Sequence, residues 1–245
     1  MEPILLLAAG HSTALDHTCS ALQKVFPFAD KPSKNITHVL LPVPSFEGDG
    51  SLKGGGDISK LLETLSKEVT IIGGNLNHPA LAGYHSIDLL QDPNYLAMNA
   101  RITAHCAISL AAQQLDRTFD DTSILIIGWG RIGKCLGQLL QGTGASITIA
   151  ARKENDRATL TSLGYNAIDT KALTTAPYTL IINTVPKMIL PHCSSDTINI
   201  DLASAPGLGG ENIIWARGLP NKLAPVSSGM LIAQAVESYL TGGKP

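Results

Sequence analysis

Three glycines, Gly128-x-Gly130-x-x-Gly133, stand between an apolar run at 123–127 and a stretch whose Ile132, Cys135, Leu136, Leu139 and Leu140 recur at helical spacing. A strand, a glycine turn and an amphipathic helix in that order make a phosphate-binding loop. The first glycine takes the tight turn, the second lets the backbone approach a diphosphate, and the third lets helix and strand pack closely. The helix start adds free N–H groups and the positive end of its dipole. Gly128, Trp129, Gly130, Arg131, Ile132 and Gly133 are therefore candidate dinucleotide-binding residues. The next strand, 146–150, leads to a place where such folds usually carry an acidic residue for a ribose 2′-hydroxyl. Here Arg152 and Lys153 occupy it. Cations suit a 2′-phosphate, so NADP(H) is expected ahead of NAD(H); the bland alternative is two solvated side chains.

Two later strands, at 178–182 and 197–201, end in Asn183-Thr184-Val185-Pro186 and Asp201-Leu202-Ala203-Ser204. Both loops fall at the carboxyl edge of the sheet, where ligands of doubly wound folds collect. Asn183 and Thr184 are candidates for the ribose on the nicotinamide side. Asp201 either meets the carboxamide or caps local backbone amides. Val185, Pro186 and Ala203 complete the candidate cofactor set.

The rest of the chain must position these groups. Short β-rich runs alternate with helical segments throughout, which predicts an α/β protein of parallel sheets covered by helices. Strands are expected at 4–8, 38–41, 69–72 and 86–90, with a Gly/Pro-rich loop at 42–56. Asp92-Pro93 reads as a helix cap and first turn, and no Gly or Pro follows until Gly128, so one long helix is expected at about 93–115. A tail helix is expected at 227–240, capped by Ser227 or Ser228. The expected architecture is two lobes: a smaller N-terminal flavodoxin-like α/β domain at 1–92, on which a C-terminal helix at 227–241 packs back, and a C-terminal Rossmann domain at 120–226. A connecting helix at 93–119 joins them, with the cleft between the lobes as the default ligand site.

With 245 residues, 44% hydrophobic and 16% charged, the chain has ample apolar surface for a compact fold. A net charge of -2 without basic runs speaks against nucleic acid or an anionic membrane as partner. Apolar runs fall far short of the ~20 residues that cross a bilayer, and the start lacks a signal-peptide pattern, so a cytoplasmic protein is expected. Four dispersed cysteines, Cys19, Cys106, Cys135 and Cys193, read as free thiols, and no metal site is expected.

INTVPKMIL from Ile182, IDLASAPGLGG from Ile200, GLPNKLAPVSSGMLIAQAV from Gly218, GWGRIG and the AARK turn together resemble the A component of dipicolinate synthase from spore-forming bacteria. The resemblance runs over roughly residues 93–240. It implies a two-lobed protein related to hydroxyacid dehydrogenases, which with a flavoprotein-like B component oxidises dihydrodipicolinate to dipicolinate using NADP. A small anionic substrate and a homo-oligomer are expected with it. Departures fall where substrate is held: Thr103-Ala104-His105-Cys106 replaces a T-A-E-G pattern, Ala205 stands in place of an arginine, and the front lobe is shortened.

Aromatising a dihydropyridine requires loss of a hydride and of a proton. His105 is the candidate base, histidine being the side chain most often used as a general base; a plain helix histidine is the alternative. Ser45, Asn99, Arg101, Thr103, Ser204 and Ser228 are candidate substrate contacts. Two other functions stay open: a non-catalytic, nucleotide-sensing relative, and a dehydrogenase acting on another small carboxylic acid.

Overall fold

The computed structural model describes residues 3–242. In chain order its elements are β1 (Leu6–Ala8), α1 (Thr13–Leu22), β2 (His38–Leu40), α2 (Ile58–Glu63), β3 (Thr70–Gly73), β4 (His85–Asp88) and α3 (Pro93–Gln114). There follow β5 (Ser123–Ile127), α4 (Arg131–Leu140), β6 (Ser146–Ala151), α5 (Glu154–Ser162), β7 (Asn166–Asp169), β8 (Leu180–Asn183) and β9 (Ile198–Asp201). The chain ends with β10 (Ile213–Trp215), α6 (Leu219–Leu223) and α7 (Pro225–Leu240). The described residues form two compact units, one reaching to Asn99 and resuming at Pro220, the other spanning Ala100–Leu219. Among the described residues no helix is long and apolar enough to cross a membrane.

The first unit has a parallel sheet in the order β1-β2-β3-β4. Leu6 also bridges to Phe28 in parallel fashion on the other side of β1. Counting that bridge as a rudimentary strand gives the order 2-1-3-4-5 of flavodoxin-like sheets. Leu7, Val39 and Ile71 face a core shared with Ile58, Leu62 and Leu65 of α2 and its end. Asp57 caps α2 through its carboxylate and Ser12 caps α1, as short polar side chains do at helix starts.

Helix α7 begins at Pro225, not at Ser227: proline's fixed φ suits the first helical position, and Ala224 supplies no side-chain cap. Ser227 and Ser228 thus lie inside the helix. α7 packs on α1 at Gly229, where a Cβ would come within 2.5 Å of the Ala14 carbonyl and 2.6 Å of His17 Cβ. The Thr18 hydroxyl reaches the Gly229 carbonyl at 3.1 Å. At the far end of α7, Tyr239 donates to Asp92 Oδ2 at 3.1 Å, while Asp92 Oδ1 accepts from Asn94 and Tyr95 at the start of α3.

The second unit has six parallel strands in the order β10-β9-β8-β5-β6-β7. Renumbered from β5, this is the 3-2-1-4-5-6 order of a Rossmann sheet. Ile124 to Ile127, Leu180 to Ile182 and Ile149 are fully enclosed, as expected of strands covered on both faces. The edge strand β10 has no sequence signature: Ile213-Ile214-Trp215 is three residues long and half exposed, too short for a period to register.

Helix propensity alone makes Gly→Ala stabilising in a helix by roughly 1 kcal/mol. The α1–α7 contact reverses the sign: Gly229→Ala should lower stability by about 1–3 kcal/mol through overpacking. A urea titration reads this directly; a gain in stability would show that the helices separate at no cost.

Candidate functional site

Gly128 follows β5 with φ 105°, a backbone conformation that side-chain-bearing residues rarely adopt. A Cβ there would run into Thr184 Oγ1 and lie 2.9 Å from Val185 Cγ2. A Cβ on Gly133 would collide with the Gly128 carbonyl oxygen. Gly130 differs from both: its φ is -83° and nothing lies within 4 Å of where its Cβ would be. Nothing in the protein itself requires a glycine at 130, which leaves the backbone open to a ligand. Gly130 is also the cap position of α4, and no side chain caps that helix. The first N–H groups of α4 therefore lack a side-chain acceptor, and the dipole's positive end faces the same opening.

Two cavities adjoin this point and share Gly130 and Thr184. The larger, about 670 Å³, is lined by Gly128, Trp129, Gly130, Ala151, Arg152, Lys153, Asp156, Thr170, Thr184, Val185, Lys187, Met188 and Ile189. The smaller, about 500 Å³, is lined by Gly130, Arg131, Ile132, Lys134 and Thr184. An elongated trough thus passes over the start of α4, with Arg152, Lys153 and Lys187 against the single carboxylate of Asp156 in the larger cavity. Such a lining can hold an anion with further negative charge to one side. Trp129 is propped by Tyr165 edge-to-face at 5.9 Å, with Lys134 Nζ 6.0 Å from its ring.

The neighbouring loops are fixed by a buried amide and a buried carboxylate. Asn183 is fully enclosed; its Nδ2 donates to the Val185 carbonyl at 3.0 Å and to Asp201 Oδ1 at 2.9 Å, and its Oδ1 accepts from Val185 N at 3.0 Å. Asp201, 1% exposed, also accepts from Ala203 N at 3.0 Å, Gly207 N at 2.7 Å and Leu208 N at 3.0 Å. Four donors saturate this carboxylate, so of its two sequence readings the local-capping one describes its geometry. Thr184 donates to the Ile127 carbonyl at 2.9 Å, joining the β8 loop to the end of β5 beneath Gly128.

Of the residues singled out from the sequence, Gly128, Trp129, Gly130, Arg131, Ile132, Arg152, Lys153, Thr184 and Val185 line the trough. Gly133 is buried beneath it, while Asn183, Asp201 and Ala203 are buried supports and Pro186 is exposed beside it. Ser45 is fully enclosed, its hydroxyl donating to the Pro42 carbonyl at 2.8 Å and accepting from Gly74 N at 3.0 Å. Ser228, 3% exposed, lies 3.5 Å from Asn221 Oδ1, and Asn221 Nδ2 holds the Val43 carbonyl at 3.1 Å. Both serines are buried and held by partners within the protein. Ser204 is exposed. On α3, Arg101 and His105 are exposed one turn apart, and Asn99 and Thr103 are half-buried.

Sequence reasoning missed Ala151, Asp156, Thr170, Met188 and Ile189 in the lining. The available signal was position: Thr170 follows β7 at the same sheet edge as Gly128 and Arg152. Among the described residues no group of His, Cys, Asp and Glu is arranged to hold a metal. The cysteines are free, and burial pushes the thiols of Cys106, Cys193 and Cys19 up, the last to about 11.

No family model matches the sequence. A curated relative, the A component of dipicolinate synthase from Bacillus subtilis (strain 168), is 25% identical over 235 residues, covering 85% of this chain and 79% of the relative. The chain is similar to dipicolinate synthase A. The crystal structure of dipicolinate synthase A from Bacillus halodurans superposes with a TM-score of 0.84 at 18% identity, covering 99% of this chain and 98% of that one. Its counterpart from Bacillus subtilis gives 0.82 at 20% identity, covering 99% and 97%. A transhydrogenase from Sinorhizobium meliloti shares the fold more loosely, with a TM-score of 0.67, 12% identity and coverage of 97% and 93%. The likeness to dipicolinate synthase A extends beyond the stretch visible from the tail motifs and takes in the first unit's fold.

Replacing Asp201 by Ala would leave one N–H of the Asn183 amide and three backbone N–H groups without their acceptor, each of which costs about 1–3 kcal/mol when left unpaired in the interior. Asp201→Ala should therefore lose at least about 3 kcal/mol in urea unfolding, and a loss below about 1 kcal/mol would mean that the loops find other partners.

Proposed function

We propose that this chain is a nicotinamide-coenzyme-dependent oxidoreductase that uses NADP(H) in preference to NAD(H). The observation that carries the reading is the open backbone at Gly130, at an uncapped helix start within a 3-2-1-4-5-6 sheet. The residues fit a dinucleotide: the first amides of α4 would hold its diphosphate, and the trough continues on both sides for its two nucleosides. Arg152 and Lys153, with Lys187 across the cavity, would neutralise a 2′-phosphate; one opposing carboxylate, Asp156, does not offset three cations. Thr184 and Val185 would bound the diphosphate from the β8 side.

The substrate reading follows the likeness to dipicolinate synthase A: oxidation of dihydrodipicolinate to dipicolinate, with a second, flavoprotein-like component as partner. The coenzyme supplies the hydride acceptor. The protein must supply the proton acceptor, for which His105, exposed on α3, is the candidate. Arg101 one turn earlier is the candidate partner of a substrate carboxylate. One observation favours a second reading, a nucleotide-binding protein without turnover: among the described residues no carboxylate pairs with His105 to orient its ring, as bases commonly require.

Calorimetric titration should give tighter binding of NADPH than of NADH. Gly130→Ser should melt no lower than the wild type, because serine is at least as good a helix cap as glycine and a Cβ there meets nothing within 4 Å, yet lose at least about tenfold in coenzyme affinity, roughly a 1.4 kcal/mol effect. Unchanged affinity would remove the diphosphate from this helix end. With coenzyme binding established, turnover of enzymatically generated dihydrodipicolinate separates the two readings. There His105→Gln should lower kcat by about 10²-fold or more without changing coenzyme affinity, and an unchanged kcat would exclude His105 from the proton step.

A further inference from the structure

The cationic turn between β6 and α5 does not hold its own shape. Arg152 and Lys153 are exposed, and Lys153, at the cap position of α5, makes no side-chain cap. The shape comes from Arg157, which does not line the trough. Its Nη1 donates to the Ala151 carbonyl at 2.9 Å and the Arg152 carbonyl at 2.8 Å, and pairs with Asp169 Oδ2 at 2.9 Å. A cation near the start of a helix is at the wrong end of the dipole, and the three acceptors offset that placement. Asp169 closes β7, and its Oδ1 accepts from Lys171 N at 2.9 Å, which turns the chain through Thr170 into the trough wall. The Lys171 amide and the Arg157 guanidinium hold the Asp169 carboxyl below the usual carboxylate range. One half-buried guanidinium thus joins the two rims, after β6 and after β7, that flank the cationic end of the trough.

We propose that Arg157, braced by Asp169, is a positioning residue that sets coenzyme choice: it fixes the backbone of Ala151 and Arg152 so that Arg152 and Lys153 converge on a 2′-phosphate. This rests on the reading that the trough binds NADP(H). Arg157 touches no part of the coenzyme and acts through the turn. All three acceptors meet at the single nitrogen Nη1, so Arg157→Met removes every contact, whereas Arg157→Lys keeps a cation with three donors on a differently shaped stem.

The test compares dissociation constants for NADPH and NADH, by calorimetry, in the full-length wild type, Arg157→Lys, Arg157→Met and Asp169→Asn. Wild type comes first: if it binds neither coenzyme, or NADH more tightly, the underlying reading fails and Arg157 has nothing to position. Given a wild-type preference for NADPH, Arg157→Met should weaken NADPH about tenfold and NADH less than about twofold, collapsing the ratio, and Arg157→Lys should keep part of it. Asp169→Asn, the mildest change and the one that keeps the test available if Arg157 variants fail to fold, should reduce the ratio severalfold. Equal loss for both coenzymes would mark a merely structural residue, and an unchanged ratio would leave Arg152 and Lys153 acting without it; either overturns the proposal.

Discussion

The carbonyl oxygen of Gly128 occupies the place a Cβ on residue 133 would need. Because neither residue has a side chain, α4 can descend onto the end of β5 until its first turn touches the carbonyl just past the strand. That approach points the helix start into the trough and leaves its amides for a ligand instead of a cap. The buried third glycine and the positive φ of the first are requirements of the fold, whereas the second glycine is empty on its outer side. The three positions thus divide between building the crevice and leaving it accessible, and the charge of Arg152, Lys153 and Lys187 bears on whatever enters.

Behind the crevice the structure uses polar groups as fasteners. Asp201 is a buried carboxylate that no cation pairs with among the described residues, balanced instead by four N–H donors. An ionised group out of water costs several kcal/mol unless its hydrogen bonds are complete. Saturation here ties the β8 and β9 loops together, and Gly207 permits it, since a Cβ there would strike the Asn183 amide. The first unit repeats the device with neutral groups: Ser45 joins the loop after β2 to Gly74, and Asn221 joins α6 to Val43.

The phosphate loop was legible in the sequence because it is local: strand, glycines and helix are contiguous, and their spacing carries the geometry. Strand alternation likewise gave the α/β class, with a shift of two residues where Tyr178 and Thr179 precede β8 rather than joining it. The burial of Ser45 and Ser228 was not legible, because it is set by partners 29 and 7 residues away, which no spacing rule reveals. Arg157 was invisible for a related reason. Its partner Asp169 lies across a helix and a strand, and only the parallel pairing of β6 with β7 brings them together.

A crystal of the protein grown with NADP+ tests the helix-end assignment most directly. Diphosphate oxygens should lie within hydrogen-bonding distance of the main-chain amides of Arg131 and Ile132, with the 2′-phosphate beside Arg152 and Lys153. Coenzyme density lying elsewhere, or a diphosphate held by side chains away from Gly130, would contradict it.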